Sequence, residues 1–252
     1  MNREKSKAIS KEWFGSWFDS PYYHILYEHR DQQEARTFID NLNYFFNFKK
    51  SDYILDIACG KGRHAIYLNS RGLDVVGIDL SPQNIAHAKA YENNKLHFYV
   101  HDMRQVFKRE TFDYALNLFT SFGYFDTEVE NEQAICAAAT ALKNRGQLVI
   151  DFLNPYTVID RLVPSERKTL QGIDFEINRK YAQGFLIKEI KFTDQGKDYL
   201  FYEKVKAIRK IEFMRYFIKA GLKLKANFGD YELNPYHWQT SERMIFVLEK
   251  AL

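Results

Sequence analysis

Between Ile54 and His64 the chain reads I-L-D-I-A-C-G-K-G-R-H, an apolar run ending beside a carboxylate and passing into a Gly-x-Gly turn. Gly60 and Gly62 have no β-carbon, so the backbone can turn tightly and let a ligand approach its N–H groups. This is the chemistry of a nucleotide site. The spacing G-x-G-x-x-A from Gly60 to Ala65 also fits a dinucleotide-binding turn, so the glycines alone do not choose a ligand. A second carboxylate, Asp79, stands 17 residues after Gly62 at the end of V-V-G-I-D. There it can accept hydrogen bonds from both ribose hydroxyls of an adenosine ligand, a device that nicotinamide enzymes share. A third, Asp102, follows the next apolar run in H-D-M-R.

Carboxylates at successive strand ends require parallel strands joined by helices. From Ser51 to Asp151 short β-rich runs alternate with helical segments, as βαβ units do. The pattern predicts strands at 53–57, 73–79, 95–100, 112–118 and 147–152, and helices near 62–70, 82–91 and 128–143. Ligands of such sheets bind outside the carboxyl ends of the strands, where Asp56, Asp79 and Asp102 fall. Upstream, apolar residues at Ala35, Phe38, Ile39, Leu42 and Phe45–Phe46 predict an amphipathic helix over Gln32 to Phe46. Downstream, alternating segments near 173–180, 185–192 and 199–208, separated by Gly-containing turns, predict an antiparallel meander. A helix from Ile211 to Ala220 and strands near 222–229 and 244–250 complete the chain.

The composition bounds the function. A chain of 252 residues with 46% hydrophobic content can bury a full core and suits one elaborated domain. Its net charge of +3 argues for neither nucleic acid nor membrane. From Glu166 to Lys225, however, 15 Lys and Arg face 8 Asp and Glu, a local balance of +7. Two cysteines, Cys59 and Cys136, make no disulfide framework and no metal-ligand spacing, and none of the seven histidines forms a metal-binding pattern. With a charged N-terminus and no long apolar run, the expectation is a soluble cytoplasmic protein without a metal.

D-x-A-C-G-x-G after a first strand resembles motif I of the class I S-adenosylmethionine-dependent methyltransferases. The late helix and terminal strand pair resemble that family's seven-stranded sheet, whose last strand inserts antiparallel beside the fifth. The resemblance implies a Rossmann-like, mostly parallel α/β sheet with helices on both faces. It implies a single methyltransferase domain over 1–252, with a helical lid at 1–50, a cofactor-binding core at 51–154, an inserted β-meander at 165–210, and a C-terminal helix and strand pair at 211–252. By the family's pattern Asp56 holds the loop and the methionine end of the cofactor, Asp102 meets the adenine, and Met103 contacts the base through its backbone. Leu80, beside Asp79, and Asn117 join this cofactor-binding set. Related small-molecule enzymes close an N-terminal segment over the cofactor, with a Tyr near the sulfonium and an Arg on its carboxylate; here Tyr23 and Arg30 match.

The loop Asn117 to Phe125, N-L-F-T-S-F-G-Y-F, is dense in aromatics that would favour a sulfonium cation, Phe119 above all, while Phe122 and Phe125 read equally well as core. It carries no N-P-P-Y-like motif of nucleobase amine methylation. His237, in the aromatic loop Tyr231 to Trp238, is a candidate base near the acceptor. The implied reaction is transfer of the sulfonium methyl to an N or O nucleophile of a small molecule, with Tyr23, Phe119 and His237 nearest the chemistry and S-adenosylhomocysteine as product. The expected assembly is a monomer or homodimer without a membrane partner. RNA held by the basic 166–225 section is the alternative substrate, and an NAD(P) oxidoreductase or a non-catalytic cofactor-binding module is the alternative class.

Overall fold

The run that carries the first carboxylate, Tyr53–Ile57, forms strand β1, and from Ile54 onward it is buried, as a central parallel strand covered on both faces must be. The computed structural model describes residues 13–28 and 32–251. In chain order its elements are α1 (Trp13–Phe18), α2 (Pro21–Leu26), α3 (Gln32–Phe46), β1, α4 (Arg63–Ser70), β2 (Asp74–Asp79), α5 (Pro82–Ala88) and β3 (Leu96–Val100). There follow β4 (Phe112–Asn117), α6 (Glu128–Ala141), β5 (Leu142–Leu153) and α7 (Pro155–Asp160). The meander is β6 (Ser165–Leu170), β7 (Ile173–Ala182), β8 (Phe185–Asp194) and β9 (Lys197–Lys206), and α8 (Lys210–Lys219), β10 (Leu222–Phe228) and β11 (Arg243–Lys250) end the chain.

The main sheet has seven strands in the order β10-β11-β5-β4-β1-β2-β3. β1 pairs parallel with β2 and β4, whereas β11 lies between β5 and β10 and runs antiparallel to both. One face is covered by α3, α4 and α5, whose Phe38, Leu42, Leu68 and Ile85 pack on Ile54 and Val75. The other is covered by α6 and α8, with Ile135, Phe213 and Phe217 against Leu55, Ile78 and Phe246. The sheet is therefore the middle of three layers, as the alternating pattern implied. Local chemistry fixes the helix starts. Ser81 accepts from the Asn84 N–H ahead of α5, with Pro82 in the first turn, and Thr127 and Glu130 close a capping box on α6.

β6 to β9 form a separate four-stranded antiparallel sheet. Its apolar face, Phe175, Ile177, Ile190 and Phe192, packs on Trp13, Trp17 and Leu26 of α1 and α2. The meander thus supports the N-terminal helices. It has one strand more than the sequence pattern predicts. β6 reads S-E-R-K-T-L, an edge strand that is mostly exposed and charged, so it shows no apolar alternation. α7 was equally silent, because Asn154-Pro155-Tyr156 reads as a misplaced motif; it is a helix start in which Asn154 accepts from the Tyr156 N–H. β5 begins at Leu142, five positions before its predicted start at 147, directly after α6.

Among the described residues no helix is long and apolar enough to cross a membrane. Several cations of 166–225 are paired with nearby acids: Lys188 with Glu203 and Lys191 with Glu189 inside the section, and Lys204 with Asp126, Lys206 with Glu128 and Lys219 with Glu132 outside it.

Candidate active site

A cavity of about 350 Å3 lies at the carboxyl ends of the parallel strands. Its floor is the turn after β1, where Ala58 and Gly60 both adopt positive φ. The Gly60 N–H donates to Asp79 at 2.9 Å, and the Ser81 N–H donates to the other carboxylate oxygen at 2.8 Å. Asp79 thus ties the first turn to the second. Gly60 has open space where a β-carbon would be, whereas at Gly62 that carbon would meet the Phe98 ring at 2.7 Å. Gly60 lines the cavity and Gly62 does not. Gly62, expected to admit a ligand, instead lets α4 pack against β3.

Asp56 and Asp102 both line the cavity, in different states. Asp56 is 1% exposed, and its carboxylate accepts from the Ala65 N–H at 3.2 Å. Burial pushes its carboxyl up to about 7, with Asp79 adding to the rise and the Ala65 N–H and Arg63 opposing it. Burial likewise raises Asp79, against the two backbone N–H groups. Both carboxylates sit in a pocket wall where a cation or hydroxyl donors would stabilise their charged forms. Partial burial pushes Asp102 up too, but Arg104 prevails and holds its carboxyl below the usual carboxylate range. Arg104 grips Asp102 at 2.6 Å, reaches Glu130 at 2.8 Å, and lies over the Phe125 ring. Asp102 is thus a turn acid and a cavity wall at once, and Met103 and Leu80 line the cavity beside it.

The aromatic loop after β4 forms the far wall. Phe119 and Thr120 are both left-handed, at φ 57° and 58°, a conformation that non-glycine residues rarely hold. Asp151, at the end of β5 and fully buried, holds them there. It accepts from the Phe119 N–H at 2.7 Å, from Arg243 Nε at 2.8 Å and from the Tyr231 hydroxyl at 3.2 Å. Arg243 also donates to the Thr120 hydroxyl at 2.8 Å. The Phe119 ring is stacked between Tyr231 and His64, with Arg63 over it. Burial, aided by Arg63, drives the His64 imidazole down to about 3, so it is a neutral wall and not a proton carrier.

Helices α1 and α2 cover the opening. Phe14, Phe18, Tyr23, His24 and Tyr27 face the cavity, and Ser81, in the loop after β2, donates its hydroxyl to Asp19 of the segment between the two helices. Glu203 of β9 anchors this cover from the meander, accepting from Trp17 Nε1 at 2.8 Å and the Tyr27 hydroxyl at 2.6 Å.

Residues 54–146 match the family model described as a methyltransferase domain. Those residues carry a methyltransferase domain of the S-adenosylmethionine-dependent kind. A glycine/sarcosine N-methyltransferase of Aphanothece halophytica is 27% identical over 206 residues, covering 78% of this chain and 76% of that one. The dTDP-3-amino-3,4,6-trideoxy-alpha-D-glucopyranose N,N-dimethyltransferase of Streptomyces venezuelae is 28% identical over 181 residues, 68% and 76% of the two chains. A crystal structure of an S-adenosylmethionine-dependent methyltransferase from Clostridium acetobutylicum has the same fold, with a TM-score of 0.78 at 16% identity over 92% of this chain and 96% of that one.

The methyltransferase brings together most of the residues its sequence nominated. Asp56, Gly60, Asp79, Leu80, Asp102, Met103, Phe119 and Tyr23 line one cavity. Of the other four, Gly62 packs under Phe98, two more stand apart and one lies outside the described residues. Asn117 is buried behind the wall, donating to the Ile57 and Ser121 carbonyls; His237 is exposed and lines neither this cavity nor its neighbour; Arg30 lies outside the described residues. Sequence reasoning passed over Lys61, Arg63 and His64, although they stand inside the glycine motif itself, and over Asp151, although it ends the run V-I-D. Tyr231 was legible only as the start of the aromatic loop near the acceptor, and Arg243 gave no local signal, since both reach Asp151 only through the strand order.

Proposed function

We propose that the methyltransferase modifies the nitrogen of a small-molecule amine. The observation that carries this reading is the adjacency of two cavities: Phe18, Tyr23, Phe119 and Tyr124 line both the cofactor cavity and a second one of about 700 Å3, large enough for a small acceptor and bordered by the N-terminal helices. The names of the relatives, N-methyltransferases of glycine, sarcosine and an amino sugar, point the same way. The pairing of Lys188, Lys204, Lys206 and Lys219 with acids leaves them less free for an RNA backbone to recruit.

S-adenosylmethionine, when bound, supplies a methyl group on a sulfonium that an amine nitrogen displaces in line, leaving S-adenosylhomocysteine, a methylated amine and one proton. Asp79 would take the ribose hydroxyls and Asp56 the cofactor's ammonium, since both are carboxylates on the cavity wall whose charged forms are penalised by desolvation, Asp56 buried and Asp79 half-buried. Lys61 and Arg63 line the same cavity and would face the carboxylate end; Arg30 is a further candidate. Leu80 and Met103 would flank the nucleoside, and Tyr23 would stand against the sulfonium beside the edge of Phe119, where a ring face favours a cation by about 0.5–2 kcal/mol. α1 and α2 act as the lid that excludes water. Holding the nitrogen near the methyl carbon supplies most of the rate, so no dedicated base is required. Purified protein is expected to bind S-adenosylhomocysteine in calorimetry and to transfer labelled methyl from S-adenosylmethionine to an amine pool. Tight NAD binding without S-adenosylhomocysteine binding would refute the reading, and label appearing only in RNA would move the acceptor to nucleic acid.

A further inference from the structure

The loop between the two cavities holds a strained residue on the acceptor side. Phe119 lines both cavities, and Thr120, the next residue, lines only the second. Its φ of 58° is left-handed, a conformation that a β-branched side chain rarely adopts. Strain of this kind persists only where the surroundings over-determine it, and it gathers where function needs a side chain in one place. Here the surroundings do so. The Thr120 N–H donates to the Asp151 carbonyl at 3.0 Å, its carbonyl accepts from the Tyr124 hydroxyl at 2.5 Å, and its hydroxyl oxygen accepts from Arg243 Nη2 at 2.8 Å. The same Arg243 nitrogen is fixed by the fully buried Asp151 at 2.7 Å. Among the described residues, the hydroxyl hydrogen is the one donor of Thr120 without a protein acceptor.

Gly or Asn would hold a left-handed turn here with less strain. What Thr adds is the hydroxyl, and Arg243 polarises it, since a guanidinium donating to the oxygen strengthens the O–H as a donor. That donor cannot serve the attacking nitrogen, whose lone pair must stay free for the methyl carbon. We propose that Thr120 orients the acceptor, its hydroxyl donating to an oxygen lone pair elsewhere on that molecule and so turning the amine nitrogen toward the sulfonium methyl beside Phe119. Thr120 takes no proton; the nitrogen loses its own to solvent after the C–N bond forms and the C–S bond breaks. The assignment rests on the protein being an amine methyltransferase. The two are separable by experiment, because Thr120 does not line the cofactor cavity.

The test uses the full chain and labelled-methyl transfer from S-adenosylmethionine to glycine, sarcosine, ethanolamine and D-glucosamine, which carry oxygen, and to n-propylamine, which does not. Thr120→Val keeps the branching and removes the hydroxyl. It should slow transfer to the preferred oxygen-bearing amine by about 5-fold or more, while S-adenosylhomocysteine affinity stays within about 2-fold and any transfer to n-propylamine is unchanged. Thr120→Ser keeps the hydroxyl and should transfer within about 3-fold of wild type. Thr120→Gly, a second hydroxyl-free variant, trades the Arg243 hydrogen bond for relief of strain; it should melt within a few degrees of wild type and still transfer as slowly as Thr120→Val. A residue serving only the fold would move melting and transfer together. Wild-type rates in Thr120→Val, a Thr120→Ser as slow as Thr120→Val, or equal slowing of n-propylamine overturns the assignment. A wild type that binds S-adenosylhomocysteine and methylates none of the oxygen-bearing amines strikes the amine reading, and the assignment with it.

Discussion

Replacing Asp79 by Asn separates what this carboxylate does for the fold from what it does for the cofactor. In the fold its two oxygens accept from the Gly60 and Ser81 N–H groups at 2.9 and 2.8 Å. An amide keeps one acceptor oxygen and turns its NH2 toward the other donor, which loses one hydrogen bond, a net cost of about 1 kcal/mol. The burial that raises the Asp79 pKa offsets part of this, because the neutral amide no longer has to hold a charge there. Stability should therefore change by about 1 kcal/mol or less, a melting shift of a few degrees. Binding should suffer more. Two charge-assisted hydrogen bonds to ribose hydroxyls weaken together, and a loss of about 1.5–3 kcal/mol lowers affinity roughly 10- to 150-fold. Asp79→Ala is the poorer probe, since it removes both backbone acceptors and mixes the two effects. Calorimetry with S-adenosylhomocysteine, beside thermal denaturation of the same preparation, decides the matter. A folded Asp79→Asn protein whose affinity stays within about 3-fold of wild type would place the ribose elsewhere.

Two further predictions concern the other buried acids. With the Asp56 pKa raised from 3.8 to about 7, the folded state keeps a proton on this group that the unfolded state has lost between those values; Asp56 therefore contributes a loss of stability as pH rises from about 4 to about 7, and Asp56→Asn should be more stable relative to wild type at pH 7 than at pH 4. If the cofactor ammonium sits beside Asp56, binding lowers that pKa and releases a proton just below pH 7, measurable as buffer-dependent binding heats; identical heats in wild type and Asp56→Asn would contradict the placement. Asp151→Asn leaves the Arg243 guanidinium, 19% exposed, without its counter-charge and loosens the left-handed Phe119–Thr120 pair. Removing one partner of such a pair costs roughly 3–5 kcal/mol, so the melting temperature should fall well beyond that of Asp79→Asn, with faster amide exchange at 119–120. A variant within about 1 kcal/mol of wild type would show that the loop is held by other means.

Much of this protein was written in short stretches of sequence. The parallel core, the glycine turn after β1, and the carboxylates at the ends of β1 and β2 and after β3 depend on neighbours a few positions away. Periodicity and turn chemistry therefore revealed them. The edge strand β6 stayed hidden because an exposed strand needs no apolar alternation, and its pairing with β7 alone defines it. The tertiary structure decided what sequence spacing could not. Gly62 serves a ring 36 positions away at Phe98, and His237 lines neither cavity. The loop latch joins Phe119, Asp151, Tyr231 and Arg243 because β11 inserts beside β5, and the second cavity takes lining residues from α3, β9 and the loop before β11 for the same reason. Hydrogen bonds and charge pairs act over a few ångströms in space, so residues distant in the chain become a site only once strand order has set them side by side. Local sequence determined the cofactor turn, and three-dimensional packing determined what stands opposite it.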